Sequence, residues 1–157
     1  MLASTPHPAA RGIAAPIWLA GVPACRIVDR DQEFMGLLAA FRATGGLATG
    51  AELAARDRDA GTGRLARWIV QREVLGFDWQ GSLWLPAFQF DRRLLALAPD
   101  AHRVARELPR GADGWDLAQW WVAPNALLAL NSPLALLEVD VDAVAEAARA
   151  FRFVMAG

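Results

Sequence analysis

Gly76-Phe77-Asp78-Trp79-Gln80-Gly81-Ser82-Leu83-Trp84-Leu85 is the stretch whose reading decides the fold. Aromatic and apolar residues alternate on either side of Gln80-Gly81, and that period around an x-Gly pair predicts a β-hairpin. Two short helical patterns precede it. Thr49 has Glu52 three residues on, the spacing of a capping box, and opens a helix that carries Leu53 and ends near Arg58. Asp59-Ala60-Gly61 makes the turn. Thr62 opens a second helix through Arg72, with Leu65, Trp68 and Ile69 inward and Arg64, Arg67 and Arg72 outward. Helix, turn, helix and hairpin is the order of a winged helix-turn-helix. Upstream, Phe34, Leu37, Leu38 and Phe41 share one helical face, with Asp31 as the expected N-cap and Gly45-Gly46 as the stop.

Downstream the pattern changes to short helices cut by proline. Asp91 to Leu108 reads as a helix interrupted by Pro99, and Pro109-Arg110-Gly111-Ala112 as a linker. Asp113 starts a helix that bears Trp115, Leu117, Ala118, Trp120 and Trp121. Pro124 halts it, because proline lacks an N–H and pushes the residue before it out of the α region. Two leucine-rich pieces follow, Leu127-Leu128-Leu130 and, after Ser132-Pro133, Leu134-Leu136-Leu137. Asp140 caps a last helix, Val141 to Val154. The fold class expected is mostly α with a small β-hairpin. It comprises an extended N-terminal arm at 1–30 with two short strands, a winged helix-turn-helix-like unit at 31–91, and a C-terminal bundle of short helices at 92–157.

Composition bounds the function. The 157 residues are 55% hydrophobic and 21% charged, with net charge −1, so the chain is a folding one and carries no global basic field. Its basic residues are all arginine and it has no tyrosine, which coding bias mostly explains. No apolar run reaches the length of a membrane helix, and no signal peptide is recognisable, so a cytoplasmic protein is expected. The lone Cys25 cannot form an internal disulfide and reads as a small buried residue; His7 and His102 are the only bases it could draw on.

Two segments resemble known modules. Arg67-Trp68-Ile69-Val70-Gln71-Arg72-Glu73-Val74-Leu75-Gly76, then Leu83-Trp84-Leu85-Pro86-Ala87-Phe88-Gln89-Phe90-Asp91, resembles a small prokaryotic DNA-binding module with a Pro-Ala-Phe-Gln-Phe close. Trp115 to Phe151 resembles the toxin-binding domain of the Xre/MbcA/ParS antitoxins. The matching residues are Trp120 or Trp121, Pro124-Asn125, Leu128, Pro133-Leu134, Leu137, Val144 and Ala147-Ala148. Where that family has a Gly-rich turn before the Pro-Leu step, this chain has Leu130-Asn131-Ser132. The resemblance implies a non-enzymatic regulator, associated with DNA, that masks a partner toxin, commonly a RES-type enzyme acting on NAD.

The residues themselves support a binding protein more than a catalyst. DNA contact falls to Arg56, Arg58, Arg64, Arg67 and Arg72, although Glu52, Asp57, Asp59 and Glu73 dilute their field and the hairpin brings no arginine to a minor groove. Partner contact falls to Trp120, Trp121, Pro124, Asn125, Leu128 and Pro133. Adjacent tryptophans differ by about 100° around a helix, so either surrounding helices cover both or one packs inward and the other lies in an interface. Glu138, Asp140 and Asp142 are explained as a helix cap and its first turn. No spacing suits a metal, a phosphate loop or a nucleophilic triad, so no catalytic residue, metal or cofactor is expected. The expected partners are a toxin protein, operator DNA and a second copy of the chain. The rival expectation is a scaffold homodimer whose winged helix has lost any nucleic-acid role.

Overall fold

The computed structural model describes residues 30–56, 62–91 and 96–156. The N-terminal arm with Cys25 and His7, the turn containing Arg58, and the junction at 92 fall outside the described residues. The elements run α1 (Arg30–Phe41), β1 (Leu47–Thr49), α2 (Gly50–Arg56), α3 (Thr62–Val70), β2 (Phe77–Trp79), β3 (Ser82–Pro86), α4 (Pro99–Ala105), α5 (Gly114–Val122), α6 (Pro133–Leu136) and α7 (Val141–Ala156). The chain is mostly helical with one small antiparallel sheet.

Local chemistry explains most of the boundaries. The Gln80-Gly81 loop holds both residues at positive φ, 49° and 75°, the type I′ geometry that matches strand twist. The strands it joins pair Phe77 with Trp84 and Trp79 with Ser82. After α1 a 3₁₀ turn, Arg42–Thr44, ends at Gly45 and Gly46, both left-handed, and the Gly46 N–H reaches back to Phe41 O at 2.9 Å. The capping box at α2 is complete: Thr49 N–H donates to the Glu52 carboxylate at 2.8 Å and Glu52 N–H donates to Thr49 Oγ1 at 3.2 Å. Those bonds from Thr49 hold the Glu52 carboxyl below its ordinary pKa. Asp113 and Asp140 cap α5 and α7 through Trp115 N–H and Ala143 N–H.

One expectation is extended and two are corrected. The hairpin has a third strand: β1 lies on the far side of β3, with Ala48 opposite Leu85, giving the order β1-β3-β2. Asp31 sits in the first turn of α1, which begins at Arg30, and accepts a bond from Trp79 Nε1 at 3.1 Å. Asp91 and residues 96–98 are not helical. Phe90 pairs with Leu97 as an antiparallel bridge, the Asp91 N–H donates to Ala96 O at 2.7 Å, and Pro99 starts α4. Proline suits the first helical turn, where its missing N–H has no partner to lose.

Two hydrophobic cores result. The smaller one joins Ala48, Leu53, Leu65, Trp68, Val74, Leu85 and Phe90 beneath α2, α3 and β3. The larger joins Phe34, Leu37 and Phe41 of α1 and Phe77 of β2 to Val104, Trp115, Trp121, Leu128 and Val144 of the C-terminal helices. The helical unit at the C-terminus therefore shares its main core with α1 and β2. Between the two cores sits Gln89, a buried polar side chain. Leu75 N–H donates to its Oε1, and its Nε2 donates to Leu75 O at 2.9 Å and Pro86 O at 3.1 Å.

The tightest of the described glycines sits where two backbones meet. A Cβ on Gly114, the first residue of α5, would lie 2.1 Å from Gly76 O and 3.2 Å from Phe77 Cα. Neither backbone group can yield without moving the sheet. Gly114→Ala is expected to destabilise the chain by about 3 kcal/mol. Gly76→Ala presses on the flexible Leu83 side chain, at 3.1 Å, and meets Trp84 O at an ordinary 3.6 Å, and is expected to cost about 1 kcal/mol. Urea unfolding of the two variants checks the order.

Candidate functional site

α3 is the second of the two helices that precede the hairpin, and its residues divide as amphipathicity requires. Leu65 and Trp68 are buried, Ile69 is half-buried, and Gly63, Ala66, Arg67 and Val70 face solvent. Arg67 is thus exposed, as is Arg56 at the end of α2. Arg64 is half-buried, its guanidinium 5.4 Å from the Trp68 ring centroid. The β2–β3 hairpin adds Asp78, Gln80 and Ser82, all exposed and none basic.

Arg72 does not lie on α3. The helix ends at Val70, and Arg72 is left-handed at φ 54°. Glu73 N–H bonds Trp68 O at 2.9 Å and Arg72 N–H bonds Ile69 O at 3.1 Å, the paired bonds of a Schellman motif with arginine where glycine is usual. The Arg72 side chain runs across the chain to donate to Arg110 O at 2.6 Å and Ala112 O at 3.3 Å. It ties the end of the winged unit to the segment before α5, a role that helical periodicity does not reveal.

The residues expected to meet a partner separate into core and surface. Trp121 is 1% exposed, edge-on to Phe88 at 4.9 Å. Trp120 is also buried, stacked at 5.9 Å on Phe151 of α7. Both tryptophans are therefore covered, which settles the sequence alternatives in favour of packing: Phe88 closes over one ring and Phe151 over the other. Leu128 and Pro133 are core residues as well. Pro124 is exposed and Asn125 half-buried.

What reaches solvent is a compact loop built on Asn125. Ala123 is extended, as the residue before a proline must be, and α5 stops. Asn125 Oδ1 accepts from Leu127 N–H at 2.9 Å. Its carbonyl accepts from Leu128 N–H at 3.0 Å and Leu130 N–H at 2.9 Å, and its own N–H donates to Asn131 O at 3.0 Å. Asn131 Nδ2 returns a bond to Leu128 O at 3.0 Å. Ser132 then caps α6 through Ala135 N–H. Closing so short a loop forces Ala129 and Leu130 to positive φ, 51° and 65°. Each left-handed non-glycine residue costs about 1–2 kcal/mol. The loop presents Leu127 and Leu130 to water at 67% and 71% exposure, while Leu128 anchors it in the core. The sequence pattern puts Leu127 and Leu130 in one leucine-rich segment with Leu128 and does not separate them; the missing glycine at the turn is the signal for strain.

Among the described residues no group of three or more His, Cys, Asp or Glu side chains is placed to hold a metal ion, and no helix is long and apolar enough to cross a membrane. No protein-family profile, characterised protein or solved structure matches the chain.

Ala129→Gly tests the strain. Relief of the left-handed cost outweighs the added unfolded-state entropy of glycine, so a gain of about 0.5 kcal/mol in unfolding free energy is expected. Chemical denaturation showing a loss would mean that Ala129 is not held in that conformation.

Proposed function

We propose that the chain is an antitoxin-like regulator with no catalytic centre of its own, whose C-terminal helices bind a partner toxin of RES type through the Asn125–Asn131 loop. The observation that carries this reading is the loop itself. It is hydrogen-bonded into one shape, strained at Ala129 and Leu130, and displays two leucines that gain nothing from this chain. Strain of that kind concentrates where a backbone is held for recognition. The Pro124-Asn125 and Pro133-Leu134 spacing adds the family resemblance. Pro124 and Asn125 flank the contact directly, whereas Trp120, Trp121, Leu128 and Pro133 support it from beneath. Operator DNA is read by the exposed faces of α2 and α3 through Arg56, Arg64 and Arg67, and two copies of the chain pair to present them.

One observation favours the rival scaffold homodimer. Val70, 81% exposed on the outer face of α3, and the acidic Asp78 on the wing are poor neighbours for DNA and good ones for a second copy. In that reading the winged unit makes the dimer and reads no groove.

The test is binding of the protein encoded by the adjacent gene to the wild-type chain and to a Leu127→Asp/Leu130→Asp variant. Both substitutions are at the surface, so circular dichroism and unfolding are expected to stay unchanged. The wild type is expected to form the complex and the variant to bind at least tenfold more weakly, a change of about 1.4 kcal/mol. Equal binding by both proteins, or no complex with either, sinks the proposal.

A further inference from the structure

We infer that the arginine-walled surface around α4 is a binding site for phosphate oxyanions, separate from the leucine loop and independent of it. Two cavities of about 440 and 580 Å³ lie on either side of a ridge formed by His102, Arg106 and Arg110, which line both. Arg103 and Arg152 wall the first toward α7; Arg72 walls the second toward the end of α3. Across the two, five arginines (72, 103, 106, 110 and 152) face two carboxylates, Glu73 and Glu107. The whole chain has net charge −1, so this is a local concentration of positive charge on a protein whose remainder is net acidic.

The internal pairing leaves much of that charge unspent. Glu107 is already shared by Arg149 and Arg152, at 3.5 and 3.3 Å, and Arg103 is paired with Asp142. Arg72 donates to two neutral carbonyls, which leaves its charge uncompensated. Arg106 and Arg110 are exposed and make no ion pair among the described residues. His102 adds an Nε2 that is shielded from solvent without a hydrogen-bond partner in the described chain. Guanidinium groups present planar donor pairs that match phosphate oxygens two at a time. Three uncompensated guanidiniums offer more charge than a single carboxylate neutralises, and recesses of this size admit a small phosphorylated molecule or successive phosphates of a strand.

The two sources of that chemistry, a free polyphosphate and a nucleic-acid backbone, are told apart by titrating the full chain with inorganic triphosphate by calorimetry and with a labelled 20-base-pair duplex by fluorescence anisotropy. The variants are Arg106→Ala/Arg110→Ala and, as a control, Arg30→Ala/Arg42→Ala, all at exposed positions. Triphosphate binding that weakens at least tenfold in the first variant and is unchanged in the control supports the site with a free polyphosphate as its ligand. Duplex binding lost in the same way, with the salt slope of log affinity reduced by about 2, supports it with a nucleic-acid backbone as the ligand. Binding unchanged by the Arg106/Arg110 substitutions, or equal losses in the control, overturns the inference, as does a wild-type chain that binds neither probe. None of these outcomes depends on the toxin partner, so this site and the leucine loop fail or stand separately.

Discussion

The structure turns on the Gln89 side-chain amide. It gives a buried backbone segment both the acceptor and the donor that a neighbouring strand would otherwise supply, at Leu75 N–H and Leu75 O. A buried peptide group with no partner costs about 1–3 kcal/mol, so the exchange is obligatory rather than incremental. Its position is what gives it reach. Val74 enters the smaller core and Leu75 the larger; Phe90 joins the smaller, and Phe88 packs on the larger. Two alternating segments thus lie side by side with one side chain each into each core, and Gln89 is the rivet between them. An apolar residue at that point would fill the space and leave the peptide group orphaned.

The contacts next to it depend on that alignment. With Leu75 fixed, Gly76 O meets the start of α5 at a distance that admits only glycine at 114. Trp115 then packs on Phe77 with ring centroids 4.8 Å apart and donates its Nε1 to Asp78 O at 3.0 Å. Arg72 fastens the same corner from outside through Arg110 and Ala112. The C-terminal helices are seated on the winged unit by these groups, and the proposed recognition loop at Asn125–Asn131 inherits its rigidity from α5 and from Leu128 beneath it. The two proposed sites are what the packing leaves over: two leucines held out by a strained backbone on one part of the surface, and unpaired arginines on another.

Legibility in the sequence followed the range of the force. The hairpin turn at Gln80-Gly81, the capping box at Thr49 and Glu52, the caps at Asp113 and Asp140 and the glycine stop after α1 are set by residues within a few positions, and each was readable. β1 was not, because Leu47–Thr49 is too short to have a period and exists as a strand only by pairing with β3. Pro99 was readable as punctuation, but whether it interrupts or begins a helix depends on the Phe90–Leu97 bridge. Helical periodicity puts Arg72 on an outward helical position, whereas its partners are carbonyls 38 and 40 residues away. The tryptophan pair was recognisable as unusual, yet the burial of both rings required Phe88 and Phe151, which come from opposite ends of the second half of the chain. Of the candidate site, the positions of Pro124, Asn125 and Ser132 were legible; the separation of Leu127 and Leu130 from Leu128 was not.

Hydrogen exchange at the Leu75 amide measures the rivet most directly. If Gln89 holds the two cores together, Leu75 N–H exchanges among the slowest amides of the wild-type chain, through global unfolding. In Gln89→Leu its protection collapses together with that of α5, while amides of the β2–β3 hairpin keep more of theirs. A Leu75 amide that exchanges rapidly in the wild type, or one equally protected in Gln89→Leu, would contradict the account.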